Sequence, residues 1–216
     1  MKEEVGSMRI GFITRGGVEN VPVKEKADVI VCAFHGDEVV YEKELKGETD
    51  YFERVARVSK TVGGVVVCGC KTNARGHKRK SALVVENGTV LGVSDMLHVI
   101  DNECASGAEV GVYQTKEGKM GVVVAGDLRF PEVFKTLSLC GVAFVVCPYE
   151  KAGERELAIV RAHAYCFGIP VYFCGEGQAG IALPSGELAF SSTEDIAFAK
   201  CKNVKEYHLV ETRRKL

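Results

Sequence analysis

The sequence predicts a mixed α/β fold in which helices flank two mixed sheets, and three observations support this prediction. Short apolar, β-branched segments of strand length recur along the chain. Segments whose apolar residues fall at helical spacing lie between several of them. Turn signals, among them one Asn-Gly pair, join other strand pairs into antiparallel hairpins. Hairpins combined with strand–helix–strand units favour two covered mixed sheets over a doubly wound parallel sheet.

Strands and hairpins dominate the first half of the chain, with one helix among them. The apolar residues of that helix recur every three or four positions, Thr49 or Asp50 can cap its first turn, and Gly63 stops it. Asn87 and Gly88 mark one hairpin turn. In order, the expected elements are strands 8–14 and 27–34, helix 48–62, strand 63–70, and hairpins 81–93 and 109–126, the second turning at 116–119.

The second half alternates helices and strands before a last hairpin. Pro131 suits the first turn of a helix, because the N–H that proline lacks would have no partner there. The expected elements are helix 131–139, strand 143–149, helix 154–167, strand 170–176, hairpin 179–192 and strand 196–201. The total is about ten to twelve strands and three or four helices. With no linker between them, residues 8–201 form one domain between a polar lead-in, 1–7, and a charged tail, 202–216.

Composition excludes several classes of partner. The 216 residues, 46% of them apolar, are enough for one sizeable core. The 28 basic and 29 acidic residues give no overall field that would attract nucleic acid or an anionic membrane. No apolar segment approaches the roughly 20 residues that span a bilayer, and the first residues, MKEEVGSM, lack the apolar core of a signal peptide. The sequence therefore predicts a cytoplasmic protein that binds neither nucleic acid nor membrane.

The nine cysteines are expected to be free thiols. Their odd number and their positions in apolar segments are typical of small buried residues in a reducing compartment. Cys68, Cys70 and His77 give only a weak metal pattern, because no second spaced pair accompanies them. The basic run ARGHKRK, residues 74–80, is interpreted as a solvated turn before the next strand. We expect no metal and no cofactor.

One segment, VVVAGDLRFPEVF at residues 122–134, passes from a strand into a helix. Such a junction faces the crevice at the carboxyl end of a buried strand. Its GDLRFPE resembles the nucleophile loop, Cys-Tyr-Asp-x-Arg-Phe-Pro-Glu, of the carbon–nitrogen hydrolases of the nitrilase superfamily. Three more segments resemble that family in the same order, KSALVVENGTVLG, IVRAHAYCFGIPVYFCGE and ALPSGELA, so that the resemblance covers roughly residues 8–201.

The resemblance implies an α-β-β-α sandwich and a homodimer. The helices at 131–139 and 154–167 would lie at the dimer interface. The second of them carries more apolar residues than one narrow buried stripe requires, namely Leu157, Ala158, Val160, Ala164 and Tyr165.

The family acts through a Glu general base, a Lys that stabilises the tetrahedral intermediate, and a Cys nucleophile, and all three positions differ here. Phe34 stands at the Glu position, Met96 at the Lys position and Ala125 at the Cys position. Alanine cannot attack an amide or nitrile carbon. Without the thiol, apolar replacement of a buried Lys–Glu pair is often neutral or stabilising by about 1 to 4 kcal/mol. The resemblance implies a protein without hydrolase activity that binds a small ligand or a protein partner.

Other motif residues complete the expected vestigial pocket. Asp127, Arg129 and Glu132 match the family's nucleophile loop, and an ion-paired cluster of the three would hold the loop in shape, with direct ligand contact as the alternative. Glu103 is a loose match to an accessory Glu between the second and third motifs. His98 matches the histidine of the lysine motif.

A working amidase remains the alternative, through substituted machinery. Glu38 would be the base if the first motif were shifted by four residues. Cys104, beside Glu103 in DNECASG, would be a relocated nucleophile, although no cationic residue is adjacent in sequence to activate it. His35 or His98 would serve as a base, although a single histidine at a strand end is more often a structural hydrogen-bonding group.

Overall fold

The computed structural model describes residues 7–22, 25–36, 38–100 and 104–202. Two sheets stack face to face, with α2 on the outer face of one and α3 and α4 on the outer face of the other. The elements are β1 (Ser7–Ile13), β2 (Val29–Cys32), β3 (Glu38–Val40), α1 (Tyr41–Leu45), α2 (Tyr51–Val62), β4 (Val65–Ala74), β5 (His77–Glu86), β6 (Thr89–Asp95), β7 (Gly111–Thr115), β8 (Gly118–Val122), α3 (Pro131–Leu139), β9 (Phe144–Lys151), α4 (Glu154–Phe167), β10 (Val171–Glu176), β11 (Gln178–Ala182), β12 (Leu188–Ser192) and β13 (Ile196–Lys202). The expected α-β-β-α sandwich of mixed sheets is confirmed.

Each sheet has parallel strands at its centre and antiparallel strands at its edges. The first sheet runs β13-β1-β2-β4-β5-β6, with β3 paired to the far end of β4, and the second runs β12-β11-β10-β9-β8-β7. The pairs β1–β2, β2–β4, β8–β9 and β9–β10 are parallel. Since parallel strands are buried on both faces, they need continuous apolar runs such as VIVC and FVVC rather than an alternating pattern.

Successive residues of the central strands pack into different apolar layers. Val29 and Val31 of β2 belong to the cluster between the two sheets, whereas Ile30 and Cys32 belong to the cluster under α2. A third cluster lies between the second sheet and the helices α3 and α4. The layer between the sheets, which we call the inter-sheet layer, contains buried residues of both sheets, among them Phe12, Val67, Val84, Val146 and Tyr172.

Sequence patterns missed β3, the short helix α1 and the length of the β4–β5 hairpin, so that the described residues contain thirteen strands instead of ten to twelve. The interpretation of 74–80 as a turn is wrong in extent: β4 ends at Ala74 and β5 begins at His77, and the turn is Arg75 and Gly76, both at positive φ. The cationic strand residues lie beside acidic residues of other elements, Lys78 with Glu38, Arg79 with Asp95 and Lys80 with Glu150. A run of positive charges in the sequence does not reveal these partners, so the run was interpreted as a turn although it belongs to a strand.

The first described strand, β1, begins at Ser7, and the last, β13, ends at Lys202; the domain limits 8–201 stay a prediction. Residues 1–6 and 203–216, which make up most of the expected lead-in and tail, lie outside the described residues. Among the helices of the described ranges, none combines the length and the apolar character needed to cross a membrane. The nine cysteines are free thiols.

Candidate vestigial active site

Positions 34, 96 and 125 contact the same apolar layer. Phe34 follows β2, Met96 follows β6, and Ala125 lies beyond β8 at the start of a 3-10 turn. Met96 and Ala125 are buried members of the inter-sheet layer, and the half-buried Phe34 packs against it. At each of the three positions where the resemblance would place a Glu, a Lys and a Cys, the structure therefore has an apolar side chain at the inter-sheet layer.

The ring of Phe34 covers β4 at a glycine. A Cβ atom built on Gly69 would lie 2.4 Å from Cδ2 of Phe34, so that only a residue without a side chain fits beneath the ring. The backbone N–H of Phe34 donates to the carbonyl oxygen of Tyr149, 3.1 Å away, which ties the end of β2 to β9 in the other sheet. Phe34 thus fills space and joins the two sheets.

Met96 lies between β5 and the nucleophile-like loop. Its N–H donates to the carbonyl of Lys80 at 2.8 Å, and its carbonyl accepts the N–H of Gly107 at 2.8 Å. Its sulfur is 3.3 Å from the position of a Cβ on Gly126. The Met96 side chain therefore packs directly against the residue that follows Ala125.

Ala125 keeps an unusual backbone conformation. Its φ is +46°, in the left-handed region that costs a non-glycine residue about 1 to 2 kcal/mol, and its side chain is fully buried. Hydrogen bonds from the N–H of Asp127 to the carbonyl of Val124 and from the N–H of Phe130 to the carbonyl of Asp127 close the turn. The loop is held in this shape although no nucleophile occupies position 125.

Asp127 is the buried anchor of this loop. Its Oδ2 accepts the N–H of Leu97 at 2.8 Å, and its Oδ1 accepts the N–H of His98 at 2.8 Å and lies 3.0 Å from His98 Nδ1. The His98 ring stacks on Phe130 with centroids 4.0 Å apart, and its Nε2 is 3.4 Å from Oε1 of Glu132. Through these contacts, His98 joins the segment after Met96 to the loop after Ala125.

The expected ion-paired cluster of Asp127, Arg129 and Glu132 is corrected by these contacts. The two carboxylates both approach His98. Arg129 is exposed and donates instead to the hydroxyl of Tyr149 at 3.2 Å. A buried carboxylate must accept hydrogen bonds from donors that lie close to it. For Asp127 these donors are the backbone N–H groups of Leu97 and His98 and the His98 ring. The exposed Arg129 guanidinium is therefore not needed.

His163 of α4 supports the same loop from the other side, and sequence analysis missed it. Its Nε2 lies 2.9 Å from the carbonyl oxygen of Leu128, and its ring stacks on Phe134 with centroids 4.2 Å apart. Burial lowers the pKa of His163, which favours a neutral ring whose Nε2–H donates to that carbonyl. The signal in the sequence is a histidine on the apolar face of a helix otherwise buried by Leu157, Val160 and Ala164.

A second missed feature is an ion pair between the sheets. Nζ of Lys80 in β5 lies 3.0 Å from Oε2 of Glu150 in β9. The carbonyl of Lys80 accepts the N–H of Met96, and Glu150 follows Tyr149, whose carbonyl accepts the N–H of Phe34. The pair therefore spans the two sheets beside positions 34 and 96. Each charge is compensated by the other, and neither group is a thiol or hydroxyl nucleophile.

Three of the other candidates, Glu38, Cys104 and His35, lie in the described part of the chain. Glu38 begins β3, is exposed, and contacts Lys78 at 3.3 Å and Asn73 at 3.1 Å; hydrogen bonds from Asn73 and Lys78 lower its pKa. Cys104 is half-buried in a segment whose next residue donates a hydrogen bond to β5. His35 is half-buried directly after Phe34, and Glu103 lies outside the described residues. In the described part of the chain, no three His, Cys, Asp or Glu side chains are grouped so as to hold a metal ion.

Several solved structures share this arrangement of sheets and helices. A branch 10 member of the nitrilase superfamily from Saccharomyces cerevisiae matches 97% of this chain and 93% of its own, with a TM-score of 0.78 and 14% identity. The chain has the nitrilase-superfamily fold. An amidase from Nesterenkonia sp. matches 96% of this chain and 95% of its own, with a TM-score of 0.73 and 14% identity. A carbon–nitrogen hydrolase from Helicobacter pylori matches 92% and 90%, with a TM-score of 0.72 and 17% identity.

Sequence similarity to nitrilases is confined to a short segment. A stretch of 66 residues is 33% identical to a probable nitrilase from Schizosaccharomyces pombe. It represents 29% of this chain and spans 24% of that protein, about a quarter of its length. No family model matches the sequence. The likeness to nitrilases is therefore much stronger in fold than in sequence.

The position of Phe34 within this nitrilase fold is tested by adding one methyl group. Gly69→Ala should lower the free energy of unfolding by about 2 kcal/mol, because the new Cβ overlaps the Phe34 ring. In a Phe34→Ala background the same substitution should cost less than about 1 kcal/mol. Urea denaturation of the four proteins measures both values. An equal cost of Gly69→Ala in the two backgrounds would show that the ring does not lie over Gly69.

A pair of substitutions separates the buried carboxylate of the loop from its exposed guanidinium. Asp127→Asn should destabilise the protein by about 2 to 4 kcal/mol. The amide nitrogen of Asn would face a backbone N–H, and the hydrogen bond that the carboxylate now accepts from that N–H would be lost. Arg129→Ala, the matched control, should cost less than about 1 kcal/mol, since Arg129 is exposed. Thermal and urea unfolding provide the measurement. Equal losses for the two variants would argue against Asp127 as the anchor.

Proposed function

We propose that this protein is a nitrilase-fold protein that does not hydrolyse amides or nitriles and acts as a ligand-binding or protein-interaction subunit. The observation that carries the proposal is the set of apolar residues Phe34, Met96 and Ala125 against one inter-sheet layer. Hydrolysis by this route needs a nucleophile, a base to take its proton and a cation beside the developing oxyanion. None of these three side chains supplies such a group.

The Nesterenkonia amidase gives a contrast. In a Glu-to-Leu mutant of that protein, the acetamide moiety of fluoroacetamide is attached covalently at the active-site cysteine. The position that resembles the family's cysteine carries Ala125 in this chain, at the start of the 3-10 turn that follows β8. A methyl group forms no covalent adduct with an acyl carbon, so covalent catalysis at this position is excluded by its chemistry.

Packing also supports the absence of a charged catalytic pair. A carboxylate at position 34 and an ammonium at position 96 would have to be desolvated in an apolar layer, which costs several kcal/mol per ion before their attraction is counted. Phe34 and Met96 avoid that cost. The hydrogen bonds of the loop around Ala125 use Asp127, His98 and His163 and do not depend on a nucleophile. The fold therefore persists without the catalytic groups.

Activity measurements test this proposal directly. The wild-type protein should show no turnover of a panel of small amides and nitriles, because loss of the catalytic unit of a nucleophilic hydrolase costs on the order of a millionfold. Ala125→Cys alone should remain inactive, since one member of such a unit does little without the others. Intact-mass analysis after incubation should show no acyl adduct. Wild-type turnover that disappears in Cys104→Ser would overturn the proposal and identify a relocated nucleophile.

We further propose that the protein forms a homodimer through the outer faces of α3 and α4. Of the five apolar residues of α4 noted in the sequence, Leu157, Val160 and Ala164 are buried within the chain, and Ala158 and Tyr165 are exposed. Leu139 at the end of α3 is 71% exposed and Tyr165 is 44% exposed. Exposed large apolar side chains on adjacent helices are typical of a surface that another chain covers.

Charge substitutions test the proposed interface. The wild-type protein should be a dimer by light scattering at micromolar concentration, and the double substitution Leu139→Glu and Tyr165→Glu should give a monomer, because buried carboxylates would be unpaired. Leu45→Glu is the matched control, since Leu45 is 86% exposed at the end of α1 on the other side of the sandwich. It should leave the dimer intact. A monomeric wild-type protein would contradict this part of the proposal.

A further inference from the structure

Three cysteines lie on one face of the first sheet, beneath α2. Cys32 ends β2, and Cys68 and Cys70 belong to β4. All three are buried members of the apolar cluster under α2. Cys32 and Cys68 are paired directly in the register of the parallel strands β2 and β4, whereas Cys70 lies two residues further along β4. The side chains of Cys32 and Cys68 are therefore direct neighbours on the same face of the sheet.

The pairing of Cys32 with Cys68 is compatible with a disulfide bond. Neighbouring strands of a sheet lie about 4.8 Å apart. The Cα atoms of two directly paired residues are therefore within the range of roughly 4.4 to 6.8 Å that is found across disulfides. Their Cβ atoms start at about the same separation as the strands, slightly beyond the 3.5 to 4.5 Å that is usual across a disulfide. A bond between the two sulfurs would thus be strained, and strained disulfides are reduced more easily.

We propose that Cys32 and Cys68 form a reversible disulfide when the protein is exposed to a peroxide. In the first step, one sulfur attacks an oxygen of hydrogen peroxide: an S–O bond forms, the O–O bond breaks, and the thiol proton leaves with the departing hydroxide as water. In the second step, the other thiol attacks the sulfenic sulfur: the S–S bond forms, the S–O bond breaks, and a second water leaves. Two thiols and one peroxide give one disulfide and two waters.

Burial determines the rate of this reaction and its product. Cys32 is 1% exposed and Cys68 is 2% exposed. Interaction with the Cys68 thiol, together with burial, raises the pKa of Cys32 well above its ordinary value. Because the thiolate is the nucleophile, the first step is slow and requires local openings that admit peroxide beneath α2. The second thiol is already adjacent, whereas another peroxide would have to enter, so the sulfenic acid is converted to a disulfide rather than to a sulfinic acid.

The disulfide would lie beside the contact between Phe34 and Gly69. Phe34 is two residues beyond Cys32, and Gly69, which its ring covers, directly follows Cys68. A bond between Cys32 and Cys68 would fix the separation of β2 and β4 next to that contact. The reaction uses none of Phe34, Met96 and Ala125, so it is independent of whether the protein hydrolyses amides or nitriles.

Peptide mapping of the full chain tests the proposal. The native protein is treated with hydrogen peroxide without denaturant, its remaining thiols are alkylated, and it is digested with trypsin under non-reducing conditions. Trypsin releases Cys32 in peptide 27–43, and Cys68 together with Cys70 in peptide 61–71, because lysines border both segments. Mass spectrometry should show the two peptides joined, at about 2 Da below the sum of their masses. Dithiothreitol, which becomes a cyclic disulfide as it reduces this bond, should separate them.

Two variants identify the partner of Cys32. Cys68→Ala should abolish the joined peptide, whereas Cys70→Ala, the matched control in the same peptide, should retain it. If either variant does not fold, fragmentation of the joined wild-type peptide shows which sulfur is bonded to Cys32. The proposal is overturned if no joined peptide forms although the exposed thiols of Cys140 and Cys166 are oxidised in the same sample, or if Cys32 is bonded to any cysteine other than Cys68.

Discussion

The apolar layer between the two sheets is the constraint on which the rest of this structure depends. The central strands of both sheets place one set of side chains in that layer and the other set under the helices, so each strand must be apolar on both faces. The ends of β2 and β6 and the loop after β8 border the same layer, where Phe34, Met96 and Ala125 extend it. The side chains at these three positions must therefore pack against an apolar layer, whatever chemistry they perform.

The loop that follows Ala125 keeps a strained backbone turn around an apolar residue. A left-handed alanine is strained, and the strain persists only where neighbouring contacts determine the backbone. Two sets of contacts do so: the Asp127 carboxylate holds the segment at 97–98, and His163 holds the carbonyl of Leu128. Both belong to the scaffold. The local conformation is thus maintained by the same interactions that join α4 and β6 to the second sheet.

Sequence patterns predicted the layers of this fold well, because long apolar runs and helical spacing report burial directly. Strands 27–34 and 143–149 and helices 131–139 and 154–167 all correspond to observed elements. The patterns failed where long-range pairing decides the structure. Residues Lys78, Arg79 and Lys80 form a strand by pairing with β4, and their ion-pair partners Glu38, Asp95 and Glu150 are not close to them in sequence.

The same limit applied to the candidate site. The resemblance placed Phe34, Met96 and Ala125 shortly after strands, and the structure has them shortly after β2, β6 and β8. It did not show that His98 rather than Arg129 contacts Asp127, because the two candidates differ only in three-dimensional placement. His163 and the Lys80–Glu150 pair come from elements far from the motifs and carry no local signature of their own.

The contact between Phe34 and Gly69 means that neither position can be redesigned alone. A smaller or charged residue at position 34 would uncover the bare backbone of β4 at Gly69 and leave a space that nothing else fills. A larger residue at position 69 is blocked while the ring is present. Substitutions at the two positions therefore depend on each other. A polar pocket can be introduced here only if the residue after β2 and the glycine of β4 are changed together.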